Sequence, residues 1–378
     1  MKIVDVQWYN YRLPFRNSFT TAHGVITARE GIVVEITTES GISGIGEVAP
    51  LPAFGRESLA DIRSLLPILA ARLRNQTLAE ALKLIDAESK GDRESALWLK
   101  GISTPSVLCG LEIALLDALG KAEGCTVSAL LAPVGTPPRA SVPVNAVIGS
   151  SATGAAIVAA KEARKHGYRC VKLKVALGGS ISAEVERIAA VRAAIGPAMH
   201  LRLDANEGWQ LEQAISILSQ CVPYEIQYVE QPLPAHDLTG MRTLRQAVSI
   251  PIAVDEALHD LESAQRILAN EAADIFVIKP QLAGGLRAGQ QMMAAATERG
   301  VRSVITSTLE AGIGLVAALH LAAASPAVTL ECGLATLGLL VDNLVMDNLP
   351  VREGFLAVPT GPGLGITLNR EALNRYAF

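Results

Sequence analysis

The sequence predicts an α/β protein, a (β/α)8-type barrel with an N-terminal α+β capping domain that the C-terminal tail completes. Three observations predict this fold. Short apolar runs typical of strands recur about every 25–30 residues in the second part of the chain. Amphipathic segments typical of helices separate these runs. The first part of the chain differs, because its strand-like runs come first and its helical segments follow.

Eight apolar runs carry the barrel prediction. They span residues 141–148, 168–175, 200–206, 226–232, 250–256, 273–280, 302–308 and 329–334. Their spacing is the length that one strand, one helix and two short loops need. Between the first two runs, GAAIVAAKEARKHG predicts a helix with Thr153 as its N-cap and Gly167 just beyond its end. Continuous apolar strands are typical of a parallel sheet covered by helices, and eight units favour closure into a barrel over an open doubly wound sheet.

The domain boundaries follow from the change of pattern. Residues 1–15 and 31–49 read as strands joined by turns, and two helical segments come after them. We therefore expect a capping domain over residues 1–125, a barrel over 126–334, and a segment over 335–378 that returns to the capping domain.

The composition narrows the class of protein. The net charge of -4 gives no electrostatic footprint for nucleic acid, and the five cysteines form no C-x-x-C pair. The apolar stretch 311–328 is broken by His320, Ser325 and Pro326, which favours a packed helix over a membrane span. The charged, strand-like N-terminus is not a signal peptide. We expect a cytoplasmic protein with no membrane or nucleic-acid partner, and a homo-oligomer stays open.

Polar and charged side chains stand at the C-terminal ends of five consecutive apolar runs. They are Lys172, Lys174, Asp204, Asn206, Glu230, Asp255, Glu256 and Lys279. One such charge is usually a solvated loop residue, but five runs that end the same way are hard to explain by solubility. The active sites of (β/α)8 barrels lie at this end of the strands, so these side chains are expected to meet there.

Three of these side chains predict a metal site. Asp204, Glu230 and Asp255 are hard oxygen ligands without a neighbouring His or Cys, a set that suits Mg²⁺, with Mn²⁺ as the alternative ion. The six histidines form no ligand spacing.

The lysines predict the chemistry. Lys172 and Lys174 would approach the metal from one side and Lys279 from the other. Beside a divalent cation and a second ammonium, the charged form of a lysine is disfavoured, so its pKa falls toward neutrality. A metal would take up negative charge on substrate oxygens. The set suits removal of a proton α to the carboxylate of a small-molecule substrate.

Taken together, the motifs K-x-K, D-x-N, E-Q-P, D-E and K-P on five successive strands resemble the enolase superfamily, most of all its muconate lactonizing enzyme subgroup. Within the subgroup, residues 44–59, 306–323 and 333–344 are similar to stretches of the o-succinylbenzoate synthase family. That resemblance implies a dehydratase, a carbon–oxygen lyase. It would eliminate water from 2-succinyl-6-hydroxy-2,4-cyclohexadiene-1-carboxylate in menaquinone or phylloquinone synthesis.

The resemblance also implies roles for single residues. Lys174 would be the base and return the proton to the leaving hydroxide, while Lys279 would stabilise the enediolate from the opposite face. Lys172 would lower the pKa of Lys174. Asn206 and Glu256 would orient metal ligands or lysines.

Loops of the first domain are expected to select the substrate. The segment 18–31 is predicted to be a loop over the barrel mouth, with Phe19 against a ring and Arg29 near a succinyl carboxylate, although Arg29 also fits a surface strand. Phe54 would form an apolar wall. Ser307 and Thr308 would bind a carboxylate or, alternatively, cap a helix.

Gly284 and Gly285 predict a tight turn, because no P-loop lysine accompanies them.

Other functions remain open at this point. An N-acylamino acid racemase or a muconate cycloisomerase would use the same site, with Lys174 and Lys279 as opposed bases in the racemase. Ala335 and Leu337 stand where dipeptide epimerases of the subgroup usually carry D-x-D, which counts against that activity. A non-catalytic barrel scaffold is the alternative from a different class, and the complete set of carboxylates and lysines argues against it.

Overall fold

The computed structural model describes residues 1–21, 24–51, 57–89 and 104–378, without the side chains of 18–25 and 89. The chain begins with an antiparallel sheet of three strands in the order β1-β2-β3. These are β1 (Ile3–Thr21), β2 (Gly24–Thr38) and β3 (Ser43–Val48), followed by α1 (Leu59–Leu73), α2 (Leu78–Ser89) and α3 (Pro105–Glu123). The predicted loop over 18–31 is wrong for the described residues, because they continue β1 and β2 as paired strands with Phe19 opposite Ile26.

Two glycines let α3 pack directly on β3. A Cβ atom added to Gly46 would lie 1.9 Å from the Gly110 carbonyl oxygen, and one on Gly44 would lie 2.0 Å from that of Ala114. Because no side chain separates the strand from the helix, their backbones touch. The S-G-I-G-E stretch therefore sets the position of α3 against β3. The residues that follow β3 begin at this close contact.

A parallel sheet forms the second part of the chain. The short elements α4 (Val127–Leu131) and β4 (Ser141–Pro143) lead into it. Its strands, in spatial order, are β5 (Ala146–Ile148), β6 (Cys170–Lys174), β7 (His200–Asp204), β8 (Ile226–Glu230), β9 (Ile252–Val254), β10 (Ile275–Ile278) and β11 (Arg302–Ile305). Neighbouring strands are parallel throughout. The strand–helix alternation predicted from the sequence is confirmed.

Helices follow each of these strands. They are α5 (Thr153–Lys165), α6 (Ile181–Ile195), α7 (Leu211–Cys221), α8 (Leu238–Ala247), α9 (Leu261–Ala269), the short α10 (Pro280–Ala283) with α11 (Leu286–Glu298), and α12 (Gly312–Ala324), and a 3₁₀ turn, Val222–Tyr224, extends α7. Thr153 is the first helical residue of α5 and Ala152 stands at the N-cap, so that cap prediction is wrong by one position. Gly167 follows the helix with φ 75°, as predicted.

The eighth apolar run closes the barrel. Cys332 donates its N–H to the Pro143 carbonyl at 2.7 Å, and Gly333 donates to the Ile305 carbonyl at 2.9 Å. Asn145, directly before β5, also donates its N–H to the Cys332 carbonyl at 3.0 Å. The eighth run therefore links β11 to the segment between β4 and β5, which excludes the open sheet. The next described residues form one 3₁₀ turn, Leu337–Leu339, where an eighth outer helix would stand.

The C-terminal segment contacts both parts of the molecule. It contains β12 (Phe355–Ala357), which pairs with β4, and α13 (Arg370–Arg375). Arg12 donates its N–H to the Tyr376 carbonyl at 2.8 Å, so the segment also reaches the outer edge of β1. The boundaries at 125 and 334 stay predictions.

None of the helices in the described part of the chain combines the length and apolar character that a membrane crossing requires. The helix α12, from the apolar stretch noted in the sequence, is buried on every side. This confirms its prediction as a packed helix.

Candidate active site

The eight strand-end residues come together at one end of the barrel. Lys174, Asp204 and Glu230 are opposite one another in the register of β6, β7 and β8. Asp255 and Lys279 follow β9 and β10 directly. The sequence repeat placed each of these charges at the end of its own strand. The parallel register of the strands brings the charges together at one end of the barrel.

Two lysines share one carboxylate. The Nζ atoms of Lys172 and Lys174 lie 2.9 and 2.7 Å from the same oxygen, Oδ2 of Asp204. Lys172 also lies 2.7 Å from Oε1 of Glu230. The two ammonium groups are thus held close together in a partly buried place, on either side of one carboxylate oxygen.

Lys279 approaches from the other side. Its Nζ lies 2.6 Å from both oxygens of the Asp255 carboxylate. Three strands, β7, β8 and β9, separate β6 from β10 in the sheet. In a closed barrel of eight strands this spacing is half a turn, so Lys174 and Lys279 face each other across the mouth.

Asn206 and Glu256 extend the network. Asn206 Oδ1 accepts from Lys174 Nζ at 2.6 Å, and its Nδ2 donates to Glu256 Oε1 at 2.8 Å. Asn206 adopts φ 42°, a left-handed conformation that asparagine tolerates better than most residues. Asn206 therefore links Lys174 to Glu256.

Burial and charge shift the ionisation of these groups. Burial raises the pKa of the Glu230 carboxyl to about 7 and that of Glu256 to about 8, and the neighbouring Asp204 and Asp255 charges add to the effect. Burial works against ionised Asp204 too, but the Lys172 and Lys174 ammonium groups outweigh it and lower that pKa.

For two lysines the direction is opposite to the one expected. Burial opposes their charge, but facing carboxylates raise the pKa of Lys172 and Lys279 above the ordinary value. The lowered lysine pKa that the sequence predicts would require a cation bound to the same carboxylates.

The carboxylates of Asp204, Glu230 and Asp255 are the candidate ligands for Mg²⁺. Among the described residues, no group of three Asp, Glu, His or Cys side chains is arranged so that it could bind a metal ion. The reason is local: the oxygens of Asp204, Glu230 and Asp255 are turned toward lysine ammonium groups at 2.6–2.9 Å. Positive charge already lies against these oxygens, and they are hard ligands from three consecutive strands. The chemistry of the set fits a hard divalent cation.

Gln231 is a site residue that the sequence reasoning missed. It has φ 36°, and its buried Oε1 accepts from the N–H groups of Asp255 at 3.0 Å and Ala257 at 3.2 Å. Its Nε2 donates to the Leu233 carbonyl at 2.8 Å. Gln231 thus fixes the backbone that carries Asp255. The sequence contained an indication of this role, because Gln231 lies between Glu230 and Pro232 at the end of a strand.

Arg29 is not placed as expected. It is 2% exposed and donates to the carbonyls of Leu309 at 3.2 Å and Pro50 at 2.5 Å, and also to Ala49. A guanidinium bound to backbone carbonyls is not available to a substrate carboxylate, so this prediction and the surface-strand alternative are both wrong. Arg29 instead ties the segment after β3 to the loop after β11.

The remaining substrate contacts stay predictions. Ser307 and Thr308 are buried near the end of β11, and the Ser307 hydroxyl lies 2.9 Å from that of Thr336. Ser307 Oγ also accepts from the Leu309 N–H at 3.2 Å, a local turn contact. The side chain of Phe19 and all of Phe54 lie outside the described residues.

Gly284 and Gly285, with φ 87° and 143°, form the predicted tight turn.

Comparison with known proteins agrees with the fold. Residues 155–372 match the family model described as Enolase C-terminal domain-like, and this match spans more than half of the chain. The chain therefore belongs to the enolase superfamily, and the resemblance to its muconate lactonizing enzyme subgroup is confirmed. Residues 3–118 match a second model, the MenC N-terminal domain.

Individual relatives differ in activity. The chain is 29% identical over 385 residues to chloromuconate cycloisomerase CbnB of Cupriavidus necator, covering 99% of this chain and 96% of that protein. It is 39% identical over 223 residues to the o-succinylbenzoate synthase of Thermobifida fusca, covering 59% of this chain and 68% of that protein. A structure of the Enterococcus faecalis dipeptide epimerase with Mg and L-Leu-L-Tyr has a TM-score of 0.87 at 26% identity, over 97% of this chain and 100% of that one.

Proposed function

We propose that this protein is a Mg²⁺-dependent o-succinylbenzoate synthase. The substrate would be 2-succinyl-6-hydroxy-2,4-cyclohexadiene-1-carboxylate, and the product would serve menaquinone or phylloquinone synthesis. The observation that carries the choice of reaction is the MenC N-terminal domain match over residues 3–118. The backbone of this domain at Glu47 and Ala49 bonds to Gln281, two residues after Lys279. The 39% identity to a synthase of the same reaction supports it.

The site geometry supports the proton chemistry. Lys174 in its neutral form would take the proton from the carbon α to the carboxylate, and the electron pair would pass to the carboxylate oxygens. The Lys174 ammonium would then return the proton to the departing hydroxyl, so that water leaves and the ring becomes aromatic. Lys172 shares Asp204 Oδ2 with Lys174, and its positive charge would disfavour the protonated form of Lys174.

Asp204, Glu230 and Asp255 would hold Mg²⁺. When bound, the ion supplies positive charge to the carboxylate on which negative charge develops. Lys279, across the mouth from Lys174, would stabilise the same charge from the other face. Asn206 would keep the Lys174 amine directed at the substrate through its 2.6 Å hydrogen bond.

The test follows the ultraviolet absorbance of the cyclohexadiene with the purified protein and Mg²⁺. Wild type is expected to consume the substrate, and Lys174→Ala is expected to lose at least about 10³-fold in kcat because the general base is gone. EDTA should stop the reaction and added Mg²⁺ should restore it. A wild-type protein that leaves the absorbance unchanged would contradict the synthase proposal.

A second candidate is racemisation of N-acylamino acids at the same site. The half-turn between β6 and β10 favours it, because it supplies one lysine to each face of a bound α-carbon. Exchange of the α-proton in D₂O from both enantiomers would support this activity. A non-catalytic scaffold predicts neither exchange nor elimination. The cytoplasmic location and the oligomeric state stay predictions.

A further inference from the structure

The turn that follows Lys279 is held by the capping domain. Gln281 lies two residues after Lys279 and is 1% exposed. Its Oε1 accepts from the Ala49 N–H at 3.0 Å, and its Nε2 donates to the Glu47 carbonyl at 2.8 Å. One side-chain amide therefore pairs with the backbone at the end of β3, much as a neighbouring strand would.

Two buried glutamates of the capping domain hold the same side of the barrel. Glu47 accepts from the N–H groups of Ala311 at 2.7 Å and Gly314 at 2.8 Å, where α12 begins. Glu112 of α3 accepts from the Leu286 N–H at 2.5 Å, where α11 begins. The first N–H groups of a helix need partners, and a carboxylate there is favoured by the helix dipole. The capping domain supplies those partners to the helices on both sides of β11.

The turn itself has little internal support. The helix α10 has four residues, begins with Pro280, and is followed by Gly284 and Gly285, both with positive φ. A single helical turn is not stable on its own, because nucleation fixes the backbone of several residues and gains only one hydrogen bond. Its direction, and with it the direction in which the Lys279 side chain leaves the backbone, depends on contacts from outside.

We propose that Gln281 is a positioning residue for Lys279. Its amide ties the backbone turn of Lys279 to the capping-domain segment 47–51, so the seating of the capping domain and the placement of Lys279 are coupled. The proposal rests on the proposed function only for the role of Lys279 at the second face of the substrate. Gln281 itself would not contact the substrate and would act by positioning Lys279.

The experiment compares the two faces of the site. Gln281→Met keeps the side-chain length and removes both hydrogen bonds. Gln290→Met is the matched control, since the Gln290 side-chain amide also donates to a backbone carbonyl, that of Leu131 at 2.8 Å, which lies outside the 47–51 segment. The α-proton exchange of both enantiomers of an N-succinylamino acid is measured in D₂O by NMR. Lys174→Ala and Lys279→Ala identify which lysine serves which enantiomer.

Gln281→Met should slow the Lys279-dependent exchange by about 10- to 100-fold at unchanged KM, while the Lys174-dependent exchange stays within about threefold. Gln290→Met should leave both exchanges unchanged. Equal losses on both faces would mean that Gln281 only stabilises the fold, and no loss would mean that Lys279 needs no support. Both results would overturn the proposal.

Hydrogen–deuterium exchange of the protein gives a second readout that needs no activity. The N–H groups of Leu282 and Ala283 bond to the Lys279 carbonyl at 3.0 and 2.9 Å. Faster exchange of these amides and of Ala49 in Gln281→Met, but not in Gln290→Met, is the expected result. Unchanged exchange overturns the proposal.

The two proposals fail separately. A wild type without elimination contradicts the proposed function alone. Where the wild type shows no α-proton exchange, whether or not it eliminates water, the protein amides decide on Gln281. Where Gln281→Met does not fold, Gln281→Glu replaces it. This variant keeps an acceptor for Ala49, and smaller changes in the same directions are expected.

Discussion

Acid is expected to destabilise this protein through His320. The side chain is fully buried in α12, where Nδ1 accepts from the Ser128 N–H at 3.2 Å. Its other nitrogen, Nε2, lies 3.0 Å from the Leu364 carbonyl and donates to it. This arrangement requires a neutral ring with its hydrogen on Nε2. A second proton on Nδ1 would point at the Ser128 N–H.

The magnitude follows from the pKa. Burial lowers the pKa of His320 from 6.5 to about 4. The folded-state pKa is depressed, so the contribution to stability is present above pH 6.5 and is lost as the pH falls through 4. A difference of about 2.5 pKa units corresponds to about 3 kcal/mol in full, of which about 2 kcal/mol is lost by pH 5.

The assay is urea unfolding at several pH values between 7.5 and 4.5, on wild type and on His320→Gln, which cannot take up a proton. Buried carboxyls act in the opposite direction. Burial raises the pKa of Glu57, Glu112 and Glu230 to about 7 and that of Glu256 to about 8, so their contribution to stability is lost as the pH rises through these values. The difference between the two proteins removes that background. His166→Gln, at an exposed histidine, is the control.

Wild type should lose about 2 kcal/mol more than His320→Gln between pH 7 and pH 5, while His166→Gln follows wild type. Parallel pH dependences of wild type and His320→Gln would refute the reasoning.

Three further outcomes are expected. Gly46→Ala should lower the free energy of unfolding by about 2–3 kcal/mol, because its Cβ would meet the Gly110 carbonyl oxygen at 1.9 Å. Gly154→Ala, with no atom within 4 Å of the new Cβ, should be neutral or stabilise by up to about 1 kcal/mol, and equal losses would contradict the packing argument. Gln231→Leu should raise the Mg²⁺ concentration needed for half-maximal activity by about 10- to 100-fold, measured by Mg²⁺ titration, because the backbone of Asp255 loses its support. An unchanged Mg²⁺ requirement would show that Asp255 is held in place without Gln231.

The barrel and the strand-end residues could be predicted because their signals are local. The repeat sets each strand and helix within its own unit, and a charge after an apolar run marks a strand end wherever the strand later pairs. Lys174, Asp204 and Glu230 were found in this way, and the register then placed them side by side.

Contacts between distant parts of the chain could not be predicted. Arg29 lies 280 positions from Leu309, and nothing in the residues around it indicates that carbonyls would surround the guanidinium. Gln281 and Glu47 look like ordinary polar residues until β3 and α10 are brought together. The lysine pKa directions were missed for a similar reason, since they depend on which charges finally face each ammonium group.

The hydrogen bond between Arg12 and Tyr376 has a consequence for synthesis of the protein. The outer edge of β1 at Arg12 meets Tyr376 only after more than 360 further residues have been made, which at about 5–20 residues per second is a delay of roughly 20–70 s. An unpaired strand edge invites pairing with other chains. Arg12 and Arg16 are exposed on this strand, and cationic side chains discourage such pairing. The newly made chain thus carries cationic side chains that discourage aggregation at this edge until Tyr376 has been made.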